Sequence, residues 1–250
     1  MQSIFTSEKT PLICVPITAT TKEQVIEQLK MITEKQPDVI EWRADFFKTL
    51  DRTDEVLEVI HYIKEHTAIP LLFTIRSERE GGEKISLSEA EKVELLEAIS
   101  AETNIDFIDY EVMNERAFVE QVREVTAKNN KELILSYHHF TETPANNVLI
   151  NIASRMEFFN ADVAKLAVMP KSKADVHRLL SVTSELDELL NIPIITMSMG
   201  ELGVISRVIG WEYGSKLTFA VGVESSAPGQ VPIGELRHAI EAVQQITKYE

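Results

Sequence analysis

Lys165 stands in the run Ala-Lys-Leu-Ala-Val-Met over 164–169, flanked on both sides by apolar residues. Desolvating an ammonium is costly, so a lysine in such a run tends to give up its proton. A neutral amine attacks carbonyl carbon, and Schiff-base formation is its characteristic use. The alternative is a lysine that snorkels from a strand edge or pairs with an acid. The run by itself does not choose between them. Polar groups also close other apolar runs: Ile-Glu-Trp-Arg at 40–43, Thr-Ile-Arg at 74–76, Asp-Tyr-Glu at 109–111, Ser-Tyr-His-His at 136–139 and Met-Ser-Met at 197–199. Arg207 follows the last of these. Period-two alternation puts Glu41 with Arg43, and Asp109 with Glu111, on common faces. Glu41 and Arg43 could then form an inward salt bridge that only holds shape. His138 and His139 point to opposite faces of a strand, so they cannot chelate one metal, and no other metal-ligand spacing is convincing. A histidine beside an iminium-forming lysine is a ready general acid–base, because it titrates near neutrality. His138 is the better candidate.

The elements that must carry these groups are eight β-like runs: Leu12–Ile17, Val39–Arg43, Leu71–Arg76, Ile105–Glu111, Glu132–Tyr137, Val163–Val168, Ile194–Ser198 and Leu217–Val221. They recur roughly every 25–35 residues, the length of one strand–helix unit. Helical periodicity fills the gaps over Thr20–Gln36, Asp54–His66, Ser88–Ser100, Ser172–Leu190 and Ile233–Ile246. Thr20 and Glu23 have capping-box spacing. Thr143-Pro144 is expected to open another helix as N-cap and first-turn proline. Eight such units in about 250 residues predict an α/β fold, a closed (β/α)8 TIM barrel. It would form one domain over 1–250, with 1–10 a short N-terminal extension that covers the barrel bottom or frays. A doubly wound sheet is the competitor, but it usually carries a glycine-rich first turn. Here the first strand runs into Pro16-Ile17-Thr18-Ala19-Thr20. In a barrel the site lies at the C-terminal strand ends, where the polar groups collect.

The formal net charge of -15 argues against binding nucleic acid or anionic membranes. An anionic substrate would be repelled at long range, so its site needs local arginines. The single cysteine, Cys14, excludes an intrachain disulfide. Met1–Lys9 has no signal-peptide pattern, and no run approaches the roughly 20 apolar residues of a membrane span. A soluble, cytoplasmic protein is expected. The loops at 76–83 and 225–230 hold no nucleotide-type Gly-x-x-x-x-Gly-Lys.

Taken together, Glu41-Trp-Arg43, Phe73-Thr-Ile-Arg76, Glu80-Gly-Gly-Glu83, Ser136-Tyr-His138, Lys165-Leu-Ala-Val-Met-Pro170, Met197-Ser-Met199, Gly203-Val-Ile-Ser-Arg207 and Ser226-Ala-Pro-Gly-Gln230 resemble the type I 3-dehydroquinate dehydratases in order and spacing. The resemblance runs from about Pro11 to the C-terminus. It implies a Schiff-base lyase of the shikimate pathway that converts 3-dehydroquinate to 3-dehydroshikimate. Lys165 would form the iminium, His138 would move protons, and Glu80 would orient the histidine. Arg207 would grip the substrate carboxylate. Glu41, Arg43, Arg76, Ser226 and Gln230 would bind ring hydroxyls or shape the pocket, with Met197 and Met199 as its wall. The resemblance further implies no metal, no organic cofactor and a homodimer. Three departures stand out: a short segment before Pro11, His139 where an acid or amide is common, and Met199-Gly-Glu-Leu-Gly203. The competing functions are another class I Schiff-base barrel enzyme of aldolase type, or a barrel that binds a metabolite without catalysis. The former usually carries a phosphate site after strands 7 and 8, where this chain has Arg207 and a Ser-Ala-Pro-Gly-Gln loop.

Overall fold

Eight short strands pair side by side into one parallel sheet in the computed structural model, which describes residues 3–6, 9–224 and 226–247. They are β1 (Leu12–Ile17), β2 (Val39–Arg43), β3 (Leu71–Thr74), β4 (Phe107–Glu111), β5 (Glu132–His139), β6 (Val163–Val168), β7 (Ile194–Ser198) and β8 (Leu217–Phe219). Their spatial order is β7-β6-β5-β4-β3-β2-β1-β8, so consecutive strands are neighbours. Between and after them run α1 (Lys22–Thr33), α2 (Thr53–His66), α3 (Glu89–Glu102), α4 (Arg116–Lys128), α5 (Asn146–Phe158), α6 (Lys173–Leu189), α7 (Gly200–Ile209) and α8 (Ile233–Thr247). This is the expected (β/α)8 barrel. Its ring meets between β7 and β8 at one parallel bridge, Ile194 with Ser215. Beyond that bridge hydroxyls stand in for a strand: the Thr196 amide donates to Ser215 Oγ at 3.0 Å and the Ser198 amide to Ser206 Oγ at 2.9 Å.

Alternation along each strand makes two cores. Outward residues such as Ile13, Val15, Trp42, Phe73 and Leu135 pack beneath the helices. Inward residues such as Cys14, Val39, Leu72, Phe107, Ile134 and Val163 fill the lower barrel. Phe5, on the 3-10 turn Ile4–Thr6, seats edge-on against Phe107 with centroids 5.2 Å apart. Ser3 Oγ donates to Glu132 Oε2 at 2.6 Å beside it. Residues 3–6 therefore lie against the barrel bottom. Glu132 is a partly buried acid at that end, an exception to the gathering of polar groups at the mouth.

Several local expectations change. The α1 N-cap is Thr21, which accepts from the Gln24 amide, because Thr20 is bonded to the Gln24 side chain instead. Thr143-Pro144 does not open α5, whose N-cap is Ala145. Thr143 is held elsewhere, its Oγ1 donating to the Met169 carbonyl and its own carbonyl accepting from Arg178. Helix α4 buries Val119, Val122 and Thr126 on one face, with Thr126 Oγ1 donating to the Val122 carbonyl. Ser88 and Ser172 cap α3 and α6 as complete capping boxes with Glu91 and Asp175. Of Ser225–Gln230, Ser225 lies outside the described residues.

Candidate active site

β6 turns Lys165 into the barrel, opposite Ser136 of β5. Its own strand is apolar, but its neighbours across the barrel are not. Nζ donates to Asp109 Oδ2 at 2.9 Å, lies 3.8 Å from Glu41 Oε1 and sits 4.7 Å over the Phe219 ring. Pairing with an acid is thus the resting geometry of this lysine. Asp109 is the hub: its Oδ1 also accepts from Ser136 Oγ at 2.6 Å and Arg76 Nη2 at 2.7 Å. Burial pushes the Asp109 carboxyl up, but the Arg76 and Lys165 cations outweigh it and hold it well below the usual carboxylate range.

His138 reaches the same space because β5 runs past its expected end at Tyr137, pairing with β6 as far as His139 opposite Val168. The 3-10 turn Glu78–Glu80 brings Glu80 to it. Glu80 Oε2 accepts from the His138 amide at 2.9 Å and faces Nδ1 at 3.0 Å, leaving Nε2 for the cavity. Burial pushes the His138 imidazole well below its ordinary value, and the Arg76 and Lys165 charges add to this. Both effects favour the neutral ring, the form a base needs. Burial and the nearby Glu111 push the Glu80 carboxyl up, with Arg76 opposing. His139 turns into the following loop, where Nδ1 accepts from the Glu142 amide at 3.2 Å.

The inward Glu41–Arg43 salt bridge does not form. Arg43 instead clasps Asp45 with two bonds of 2.8 Å, and Glu41 accepts from Thr74 Oγ1 at 2.9 Å. Side chains two apart on a strand run parallel, whereas the turn after β2 folds Asp45 back onto the guanidinium. Arg43 Nη1 also donates to the Ser226 carbonyl at 3.4 Å, and Ser226 and Gln230 bond each other. Arg207 is 1% exposed, and among the described residues no acid pairs with it. Nη2 donates to the Pro228 carbonyl at 3.1 Å, Nη1 reaches Met197 Sδ at 3.8 Å, and Nε has no partner. Burial pushes this guanidinium down to about 10.

One cavity at the C-terminal mouth is lined by every residue that the family resemblance assigns to the site. Lys165, His138 and Glu80 share it with Glu41, Arg43, Arg76 and Arg207, with Ser226 and Gln230, and with Met197 and Met199. Phe140 and Phe219 line it too, and Asp109 and Asp45 brace it from below and beside. Asp109 had a signal, its place on an inward face near the end of β4. Asp45 and Phe219 had none, since turn geometry and cross-barrel level are invisible along the chain. Among the described residues no group of three His, Cys, Asp or Glu side chains could hold a metal ion.

A parallel barrel with a buried amine, a neutral histidine and unmatched arginine at its mouth defines the class of lysine-dependent (β/α)8-barrel enzymes. Comparison with known proteins narrows the class. The family model described as type I 3-dehydroquinase matches residues 13–247, and the chain belongs to that family of lyases. It is 44% identical to the 3-dehydroquinate dehydratase of Geobacillus sp. (strain WCH70), over 94% of this chain and 91% of that one. It is 46% identical to that of Albidiferax ferrireducens, over 91% and 87%. The crystal structure of the Geobacillus kaustophilus enzyme superposes with a TM-score of 0.93 at 44% identity, covering 95% of this chain and 92% of that one. The type I enzyme of Clostridium difficile, solved with covalently modified comenic acid, gives 0.91 at 38% identity, covering 95% and 94%.

Proposed function

We propose that this chain dehydrates 3-dehydroquinate to 3-dehydroshikimate through a Schiff base on Lys165, with His138 as the proton carrier. The observation that carries this reading is the joint lining of one cavity by a buried amine, a neutral imidazole and a buried guanidinium without an acid. The amine suits a ketone, the imidazole a C–H proton, and the guanidinium a carboxylate. The covalent ligand of the Clostridium difficile relative agrees with a covalent mechanism.

The ammonium passes a proton to His138, the freed Nζ adds to the ring ketone, and the carbinolamine takes that proton back on its hydroxyl and loses water to give an iminium. That cation draws electrons from the adjacent carbon, and His138 Nε2 takes its proton. The resulting enamine expels the ring hydroxyl, which leaves as water with the proton His138 returns. A further water hydrolyses the conjugated iminium and frees the lysine, so one water is lost overall. Asp109 faces a cation at both ends of the sequence, since ammonium and iminium place the same charge on the same nitrogen. Glu80 holds Nδ1 so that Nε2 stays directed at the ring. Arg43 and Arg76 are already engaged by Asp45 and Asp109, so they serve ring hydroxyls with their remaining donors, whereas Arg207 is left for the carboxylate.

Borohydride added with 3-dehydroquinate should fix one substrate-derived adduct to Lys165 in the intact-mass spectrum. Lys165→Ala should show none, and His138→Ala should still be trapped while turning over very slowly. Folded wild-type protein that gains no mass would end this reading. We place the protein in the cytoplasm as a homodimer, in keeping with the resemblance that its motifs carry; light scattering that returns a monomer's mass would reject the dimer. No helix among the described residues is long and apolar enough to cross a membrane.

A further inference from the structure

Glu111 ends β4, is 2% exposed and is not among the residues lining the cavity, yet it is among the most heavily bonded acids in the barrel. Oε1 accepts from the Ser77 amide at 2.8 Å and Arg76 Nη1 at 3.2 Å. Oε2 accepts from Ser77 Oγ at 2.6 Å and Arg79 Nη2 at 3.2 Å. Four donors on two oxygens leave this carboxylate no freedom. Ser77 is the N-cap of the turn that carries Glu80, and its Oγ also accepts from the Glu80 amide at 3.3 Å. A chain of bonds therefore runs from Glu111 through Ser77 to Glu80, and from Glu80 Oε2 to the His138 ring at 3.0 Å.

We infer that Glu111 is a positioning residue for the acid–base pair: it anchors the Ser77 turn that aims Glu80 at His138, and it touches no substrate itself. The inference rests on the dehydratase reading and adds to it a residue that works three contacts away from the imidazole. Charge supports the geometry. The groups facing Glu80 are Arg76 and Arg79 on its own loop, Glu111 on β4, and His138 and Tyr137 on β5. Lys92 on α3 and Tyr110 on β4 also face Glu111. After burial, repulsion by Glu111 is the next cause that pushes the Glu80 carboxyl up. A neutral residue at 111 lets Glu80 ionise at lower pH.

The test is Glu111→Gln, Ser77→Ala and the double variant, assayed for dehydration across pH and for borohydride trapping. Glu111→Gln should lower kcat about 10- to 100-fold while KM stays within about 3-fold, because proton transfer and not binding is impaired. Its acidic kcat limb should move to lower pH. Ser77→Ala keeps the charge, so kcat should fall with that limb in place, and Ser77→Thr should restore most of it. The double variant should lose little more than Glu111→Gln alone, since both act through one contact. Unchanged kcat in Glu111→Gln, a loss borne by KM alone, or additive losses in the double variant would overturn the inference. Should Glu111→Gln fail to fold, wild-type kcat in Ser77→Ala overturns it equally. Trapping separates the two levels: wild type without adduct defeats the dehydratase reading, while normal trapping with an indifferent Glu111→Gln defeats only the role of Glu111.

Discussion

Arg207 spends its burial on no carboxylate of its own. Charged hydrogen bonds are worth about 1.5–3 kcal/mol, so truncating the arginine that the proposed function assigns to the substrate anion should raise KM about 10- to 150-fold. Steady-state kinetics of Arg207→Ala check this, and an unchanged KM would remove the carboxylate from that subsite. The contrast with Arg43 and Arg76 is instructive, because all three line the cavity and only their partners tell them apart. Residue type and strand-end position bring all of them into view from the sequence. Their partners stay hidden, since Asp45 reaches Arg43 through a turn and Asp109 reaches Arg76 through strand register. The same holds for Lys165, whose flanking residues are apolar while the acid it meets comes from another strand.

At the scale of elements, the loop after β3 is where tolerance is least. A Cβ on Gly82 would stand 2.1 Å from the Arg76 carbonyl oxygen, a backbone atom that cannot step aside. The Gly82 amide also donates to the Ser77 carbonyl at 2.8 Å, so the turn cannot simply open. Gly82→Ala should cost about 1–3 kcal/mol and lower Tm by about 3–10 °C. Because the loop carries Glu80, kcat should fall with it; calorimetry and a rate assay on one preparation check both. Strand bounds were legible where a run is walled by paired neighbours, as in β1, β2, β6 and β7. β3 stops at Thr74 because Arg76 turns its amide to Asp45 at 3.3 Å. β8 stops at Phe219, and β5 runs on to His139 because β6 is long enough to pair with it. Such endings depend on a neighbour's length, which local periodicity does not encode.

For the whole molecule, the charged mouth ties stability to acid. Asp109 titrates below its unfolded value, so near and below about pH 4 the unfolded chain binds the proton and the native chain does not. Its contribution is complete above that pH and is lost as pH falls. Thermal unfolding followed from pH 5 to 2 should show Tm falling in wild type. Asp109→Asn should start lower, with Arg76 and Lys165 deprived of a partner, and fall less steeply. Parallel curves would exclude Asp109 as a contributor.

The single bridge between β7 and β8 gives the ring a preferred place to breathe. Everywhere else a gap needs a ladder to part, whereas beyond the bridge only the Ser215 hydroxyl at Thr196 must swing away. Arg207 rides on α7, directly after β7, and bonds Pro228 in the segment after β8. An anion clasped there acts as a rivet across the joint. The enzyme would be a spring when empty and a closed hoop when loaded, with slower amide exchange at Thr196 in the loaded state as its signature.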